Sequence, residues 1–128
     1  MQFKVGSVLI DIDLSNGVYA LDDDGATGKS YLYKLLLAYS RINQKVLALS
    51  YNANWNVNNY VKVLNQNKYQ LVILDRYDMY CSVEISKVLY AMEEDVVVLV
   101  DVKDWNKLSF CPNMAEVDLE VGRINVSE

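Results

Sequence analysis

The sequence predicts an α/β fold: a three-layer sandwich with a mainly parallel central sheet and antiparallel hairpins at its edges. Three observations predict it. The unbroken apolar runs Leu71 to Leu74 and Val96 to Val100 have the composition of strands buried on both faces, and each ends in an aspartate, Asp75 and Asp101. Segments with apolar residues at helical spacing alternate with these runs, as helices packed on both faces of a sheet require. Towards either end of the chain the pattern becomes an apolar-polar alternation, the mark of strands with one wet face.

Val8, Ile10, Ile12 and Leu14 fall on one side of a period-two pattern with Asp11 and Asp13 opposite. Ser15-Asn16-Gly17 is a turn signal and Val18 to Leu21 the next strand, so the chain is expected to open with an antiparallel hairpin. Leu32, Leu35, Leu36, Tyr39 and Ile42 recur at helical spacing, predicting a helix from about Lys29 to Ile42. Lys45 to Ser50 reads as a mostly buried strand, and this order gives a right-handed crossover with parallel pairing. Asn56 is placed to cap a short helix marked by Val57, Tyr60, Val61 and Leu64. Just before it, Trp55 either anchors a loop to the core or stacks on a base. Ile85, Val88, Leu89 and Met92 define a further amphipathic helix. Beyond Pro112, Ala115 to Val121 alternate with Glu116, Asp118 and Glu120, and Gly122-Arg123 turns the chain into Ile124 and Val126, a closing hairpin with one acidic face.

The chain of 128 residues suits a single domain, 1–128. Apolar residues make up 52% of it and are spread throughout, which excludes a disordered chain. No apolar run approaches the ~20 residues needed to cross a bilayer, so no membrane insertion is expected. The opening Met1 to Gly6 carries no secretory apolar region, and a cytoplasmic location is the expectation. Histidine is absent, which removes histidine-dependent triads and zinc sites and leaves carboxylates, lysine, hydroxyls and bound metal. The net charge of -5 argues against a general nucleic-acid surface. Cys81 and Cys111 have no metal-ligand spacing and read as reduced, buried thiols rather than a disulfide.

The chemistry centres on Asp23-Asp24-Gly25-Ala26-Thr27-Gly28-Lys29-Ser30, between a strand and a helix. Small residues there let backbone N-H groups curl around phosphate oxygens, a lysine reaches the outer phosphates, and a hydroxyl can hold Mg2+ at a helix N-terminus. The candidate nucleotide-binding residues are Asp24, Gly25, Ala26, Thr27, Gly28, Lys29, Ser30 and Tyr31, with Lys29 the expected transition-state stabiliser. Relative to G-x-x-x-x-G-K-[ST], the first glycine is replaced by Asp23. Asp22, Asp23 and Asp24 also surround a proposed anion site with acid, and two like charges ~4 Å apart repel by ~4 kcal/mol at an effective dielectric of 20. Those carboxylates must therefore point away, pair with Lys29 or share a cation with the phosphates. Asp75, at the carboxyl end of a predicted central strand, is the candidate to hold Mg2+ with Ser30; the plain alternative is an aspartate capping the next turn.

Loop, helix and the Leu-Val-Ile-Leu-Asp strand together resemble the P-loop NTPase superfamily, with Gly28-Lys29-Ser30 in its Walker A motif and Asp75 in its Walker B motif. Within it the chain looks most like a minimal nucleotide-binding core of ABC-type ATPases, through the strands Val8 to Leu21, Leu71 to Asp75 and Val96 to Val100 and the closing Glu120-Val121-Gly122-Arg123-Ile124. The resemblance implies ATP or GTP with Mg2+ as ligands, and a protein partner or homo-oligomer. Phe3 sits near the position of an adenine-stacking aromatic, the plain alternative being a buried strand residue. The family's catalytic glutamate is Arg76 here, and an LSGGQ-like signature, a helical subdomain and the switch histidine are missing. Hydrolysis is accordingly expected to be weak or partner-dependent, with Asp78, Glu84 or Asp101 the nearest groups to orient water. The alternative from another class is a degenerate fold serving as an interaction module without nucleotide.

Overall fold

A computed structural model describes residues 1–22 and 26–128, with backbone alone for Ala26 and Thr27. The elements, in order, are β1 (Gln2–Val5), β2 (Val8–Asp13), β3 (Gly17–Leu21), α1 (Ala26–Ser40), β4 (Val46–Leu49), α2 (Val57–Leu64), β5 (Leu71–Leu74), α3 (Val83–Ala91), β6 (Val97–Val100), β7 (Asn113–Glu120) and β8 (Arg123–Ser127). All eight strands form one sheet in the order β1-β2-β8-β7-β3-β6-β5-β4. Among the described residues, those in strands outnumber those in helices.

This corrects the expected three-layer sandwich with helices flanking a mainly parallel sheet. The sheet is mixed and curls into a half-barrel around α1. The reason lies in β7, which changes partners midway. Its first residues pair in parallel with β3, through Ala20↔Met114 and Leu21↔Ala115, and its later ones antiparallel with β8, through Val117↔Val126 and Leu119↔Ile124. Both edge strands come to rest against α1: β4 along much of its length, and β1 through Phe3, whose ring lies 5.1 Å from that of Tyr39. One core therefore gathers Leu32 and Leu36 of α1 with Phe3, Ile10, Ile12, Ile124 and Val126 from one half of the sheet and Val46, Ile73 and Leu99 from the other.

A second core lies on the opposite face of β3, β6, β5 and β4 only, where Tyr60 and Leu64 of α2 and Ile85 and Leu89 of α3 cover Val18, Val72, Leu74, Val98 and Val100. Alternation along β5 sends Leu71 and Ile73 into the first core and Val72 and Leu74 into the second. No described residue of β1, β2, β7 or β8 joins the second core. Their outer face is wet, with Glu116, Asp118 and Glu120 exposed and Asp11 paired with Arg123.

The predicted opening hairpin does not form. β2 pairs with β1 and β8, whereas β3 pairs with β6 and β7, so Ser15-Asn16-Gly17 carries the chain from one half of the sheet to the other. The predicted crossover does not make neighbours of β3 and β4 either, since β6 and β5 lie between them. The closing hairpin pairs Glu120 with Arg123 across Gly122, whose φ of 71° suits a residue without a side chain. Asn56 caps α2 through a reciprocal box with Asn59, and Ser82 caps α3 through Ile85 N-H.

Candidate functional site

The carboxyl ends of β6, β5 and β4 lie side by side and present, in that order, Asp101, Asp75 and Ser50. Ladder bonds continue one residue past the strands: Asp101 N-H donates to Leu74 O at 2.9 Å and Asp75 N-H to Leu49 O at 2.8 Å. Both aspartates thus have fixed backbones and side chains carried on the sheet edge. α1 brings Lys29 in its first turn to the same edge, where Nζ lies 3.2 Å from Asp101 Oδ1. Both residues are buried, at 7% and 8% exposure. A lysine this buried is held there by a charge partner. The contact is an ion pair without hydrogen-bond alignment, for Asp101 Oδ1 accepts no hydrogen bond.

Burial, and then the charge of Asp101, raise the Asp75 carboxyl above the ordinary carboxylate range, against the pull of Arg76 and Lys103. Such a pair of carboxyls relieves its repulsion by sharing a proton or by taking up a cation. Lys29 is one such cation, on the Asp101 side. A hard divalent ion suits the Asp75 side, since Mg2+ is held by one or two carboxylates together with water and phosphate. Among the described residues no group of three or more acidic or cysteine side chains surrounds one point.

Of the predicted nucleotide-binding residues, Asp24 and Gly25 lie outside the described residues, as does Asp23, and Ala26 and Thr27 enter as the first residues of α1. Gly28 is buried in α1 against β7, where a Cβ would meet Val117 Cγ1 at 3.2 Å and Leu119 Cγ at 3.5 Å. A close helix-strand approach is therefore a packing reason for a small residue there, independent of any phosphate. Ser30 and Tyr31 are exposed on α1. Asp22 donates its N-H to Ala115 O at 2.8 Å and borders a cavity with Glu116, Asp118 and Asn125. The structure brings Lys29, Asp75 and Asp101 together; Asp78 and Glu84 are not part of that group.

Arg76 has a left-handed backbone, φ 48° and ψ 49°, and its Nε lies 3.4 Å from Asp78 Oδ1. Asp78 is 4% exposed and accepts Lys103 N-H and Asp104 N-H at 3.3 Å each. Burial alone pushes its carboxyl up, but Arg76 and the two N-H donors together outweigh burial and hold it below the usual range. This knot ties the turn after β5 to the loop after β6, so Arg76 and Asp78 build the edge rather than line it. Phe3 is buried against Tyr39 and cannot stack on a ligand.

Sequence reasoning missed the tyrosines around Asp75. Burial raises the Tyr33 hydroxyl, with the nearby Ser50 hydroxyl acting against the rise and the Asp75 charge adding to it. Tyr80 donates to Asp75 O at 3.1 Å and stacks on Tyr60, centroids 4.5 Å apart. Tyr33 stands four residues after Lys29, hence on the same face of α1, and that spacing was the available signal.

Compared with protein families, curated proteins and solved structures, the chain matches none.

Proposed function

We propose that the protein binds a nucleoside phosphate, ATP or GTP with Mg2+, along the edge formed by Lys29, Asp101 and Asp75. The observation that carries the reading is a buried ammonium in the first turn of a 15-residue helix, paired with the Asp101 carboxylate just past β6, next to which Asp75 follows β5. In this reading the first N-H groups of α1 and the helix dipole attract phosphate. Phosphate oxygens replace Asp101 on the Lys29 ammonium, and Asp75 with Ser30 would hold Mg2+. Bound Mg2+ would neutralise charge on the phosphates. The Gly28-Lys29-Ser30 sequence supports the reading, and Arg76, tied to Asp78, leaves hydrolysis weak or dependent on a partner.

Removing Lys29 alone would strand the Asp101 carboxylate, at a cost of about 3–5 kcal/mol. The informative variant is therefore Lys29→Met with Asp101→Asn, which removes both charges. Mg-ATP or Mg-GTP at 100-fold above its dissociation constant should stabilise the natural chain by about 2.7 kcal/mol and leave the double variant unmoved. Equal melting temperatures with and without either nucleotide would refute the proposal.

The same ion pair supports a second reading, an interaction module whose ammonium is permanently taken by Asp101. Phosphate binding gained only in Asp101→Asn would favour it.

A further inference from the structure

Beyond Asp75 the edge opens into a groove of about 410 Å3 at the end of β4, lined by Tyr33, Leu37, Ser50, Tyr51, Asn52 and Trp55 among others. Neither the sequence motifs nor the phosphate reading uses it. Its lining includes three aromatic side chains, Tyr33, Tyr51 and Trp55, and no Asp, Glu, Lys or Arg, so it suits a flat, uncharged ring with hydrogen-bonding edges. The groove is also preformed. Tyr60 Oη accepts Asn52 N-H at 2.9 Å and bonds to Ser50 O at 3.3 Å, and Trp55 N-H donates to Asn52 O at 3.0 Å. Asn52 Oδ1 accepts Asn54 N-H at 2.9 Å, which leaves the side-chain amide's N-H donors for a ligand. Trp55 in turn packs edge-on against Tyr60, centroids 5.0 Å apart, and Tyr60 is stacked on Tyr80. Tyr51 is 49% exposed, an aromatic surface for which the fold itself has no use.

Topology sets the groove's distance from the ammonium. Asp101 ends β6 and Ser50 follows β4, with β5 between them, so two strand spacings of about 4.8 Å separate them, roughly 10 Å in all. That matches the reach from the outer phosphates of an extended nucleotide to its base. The aromatic that the family resemblance would use, Phe3, is enclosed in the core at the other end of the sheet.

We infer that the groove between Tyr33, Tyr51 and Trp55 receives the base of the nucleotide whose phosphates lie at Lys29. This inference rests on the proposed phosphate site, and what it adds is the seat of the base, with the nucleotide laid along the carboxyl edge of β6, β5 and β4.

The test uses the full chain with Trp105→Phe, so that emission comes from Trp55, titrated with Mg-ATP, Mg-GTP, tripolyphosphate and the free nucleosides adenosine and guanosine. The expected result is quenching of Trp55 by at least one nucleotide and its nucleoside, and no quenching by tripolyphosphate. Calorimetry should find that nucleotide binds more tightly than tripolyphosphate. Trp55→Leu, which loses a packing partner of Tyr60, and Tyr51→Ala, which touches only the rim, should each weaken nucleotide binding about ten-fold, as the loss of one base-stacking ring does. Tripolyphosphate should bind both variants as it binds the natural chain. Nucleotide affinity unchanged in Tyr51→Ala and Trp55→Leu, or tripolyphosphate equal to nucleotide, would overturn the groove assignment and leave the phosphate site standing. Failure of every phosphate compound to bind would overturn both.

Discussion

Of the two neighbouring carboxylates at the sheet edge, Asp101 takes the Lys29 ammonium, and Asp75 forms no ion pair among the described residues. Lys29 sits on Asp101, while burial and the neighbouring Asp101 charge hold the Asp75 carboxyl above its ordinary range. A carboxyl raised in the folded state keeps its proton more tightly there than in the unfolded chain. The stability it contributes is full below the unfolded value, near 3.8, and is lost as pH rises through the folded one. Asp75→Asn cannot ionise. It should melt several degrees above the natural chain at pH 7 without ligand and level with it at pH 3, in melting curves recorded across that range. A difference independent of pH would exclude this account. The residues themselves were legible: Lys29 from its motif, Asp75 and Asp101 from apolar runs that end in an acid. Their pairing was not, because which carboxylate meets the ammonium depends on the order of β6 and β5 in the sheet.

At the scale of elements, the edge is held in shape by the turn after β5. Asp78 collects N-H groups from Lys103 and Asp104 and the Arg76 guanidinium, and so fastens the loops following β5 and β6 to one another. Asp78→Ala should cost about 2–3 kcal/mol, the worth of hydrogen bonds to a buried charge. Asp78→Asn should cost less, because an amide oxygen still accepts. Since the Asp78 carboxyl is held low in the fold, its stabilising share is present at neutral pH and lost as pH falls through the folded value. Chemical denaturation of both variants at pH 7 and pH 3 gives the comparison; an Asp78→Ala chain as stable as the natural one at pH 7 would contradict it. Helix α2 was readable in the sequence because Asn56 acts locally through a residue three further on, and α3 because Ile85, Val88, Leu89 and Met92 recur at helical spacing; the Ser82 cap of α3 was not read from the sequence. The hairpin expected over Val8 to Leu21 failed because a turn signal fixes a change of direction and not the strand that comes alongside.

At the scale of the molecule, α1 is the axis on which both ends of the sheet close. Leu36 is fully buried in the core that joins β1 and β2 to β4 and β5. Leu36→Ala should lower stability by about 2–5 kcal/mol. It should do so in one cooperative transition, followed alike by far-ultraviolet circular dichroism and tryptophan emission. Two separated transitions would mean that the halves of the sheet do not depend on a shared core. Curling of the sheet around one helix also explains why β1, β2, β7 and β8 leave a polar outer face, with Asp11 paired to Arg123 and the acids of β7 in water.

By itself the sequence determined what is local: the apolar runs of β5 and β6, the capped helices, the final hairpin, the glycine-lysine-serine step and the acids at strand ends. These follow from periodicity and from contacts among near neighbours in the chain. Tertiary structure alone decided the strand order, the curl around α1, the Lys29 to Asp101 ion pair and the aromatic groove beside Asp75. Each of these joins residues far apart in sequence, and the energy that selects among such pairings comes from burial in a shared core, which no short stretch of chain contains.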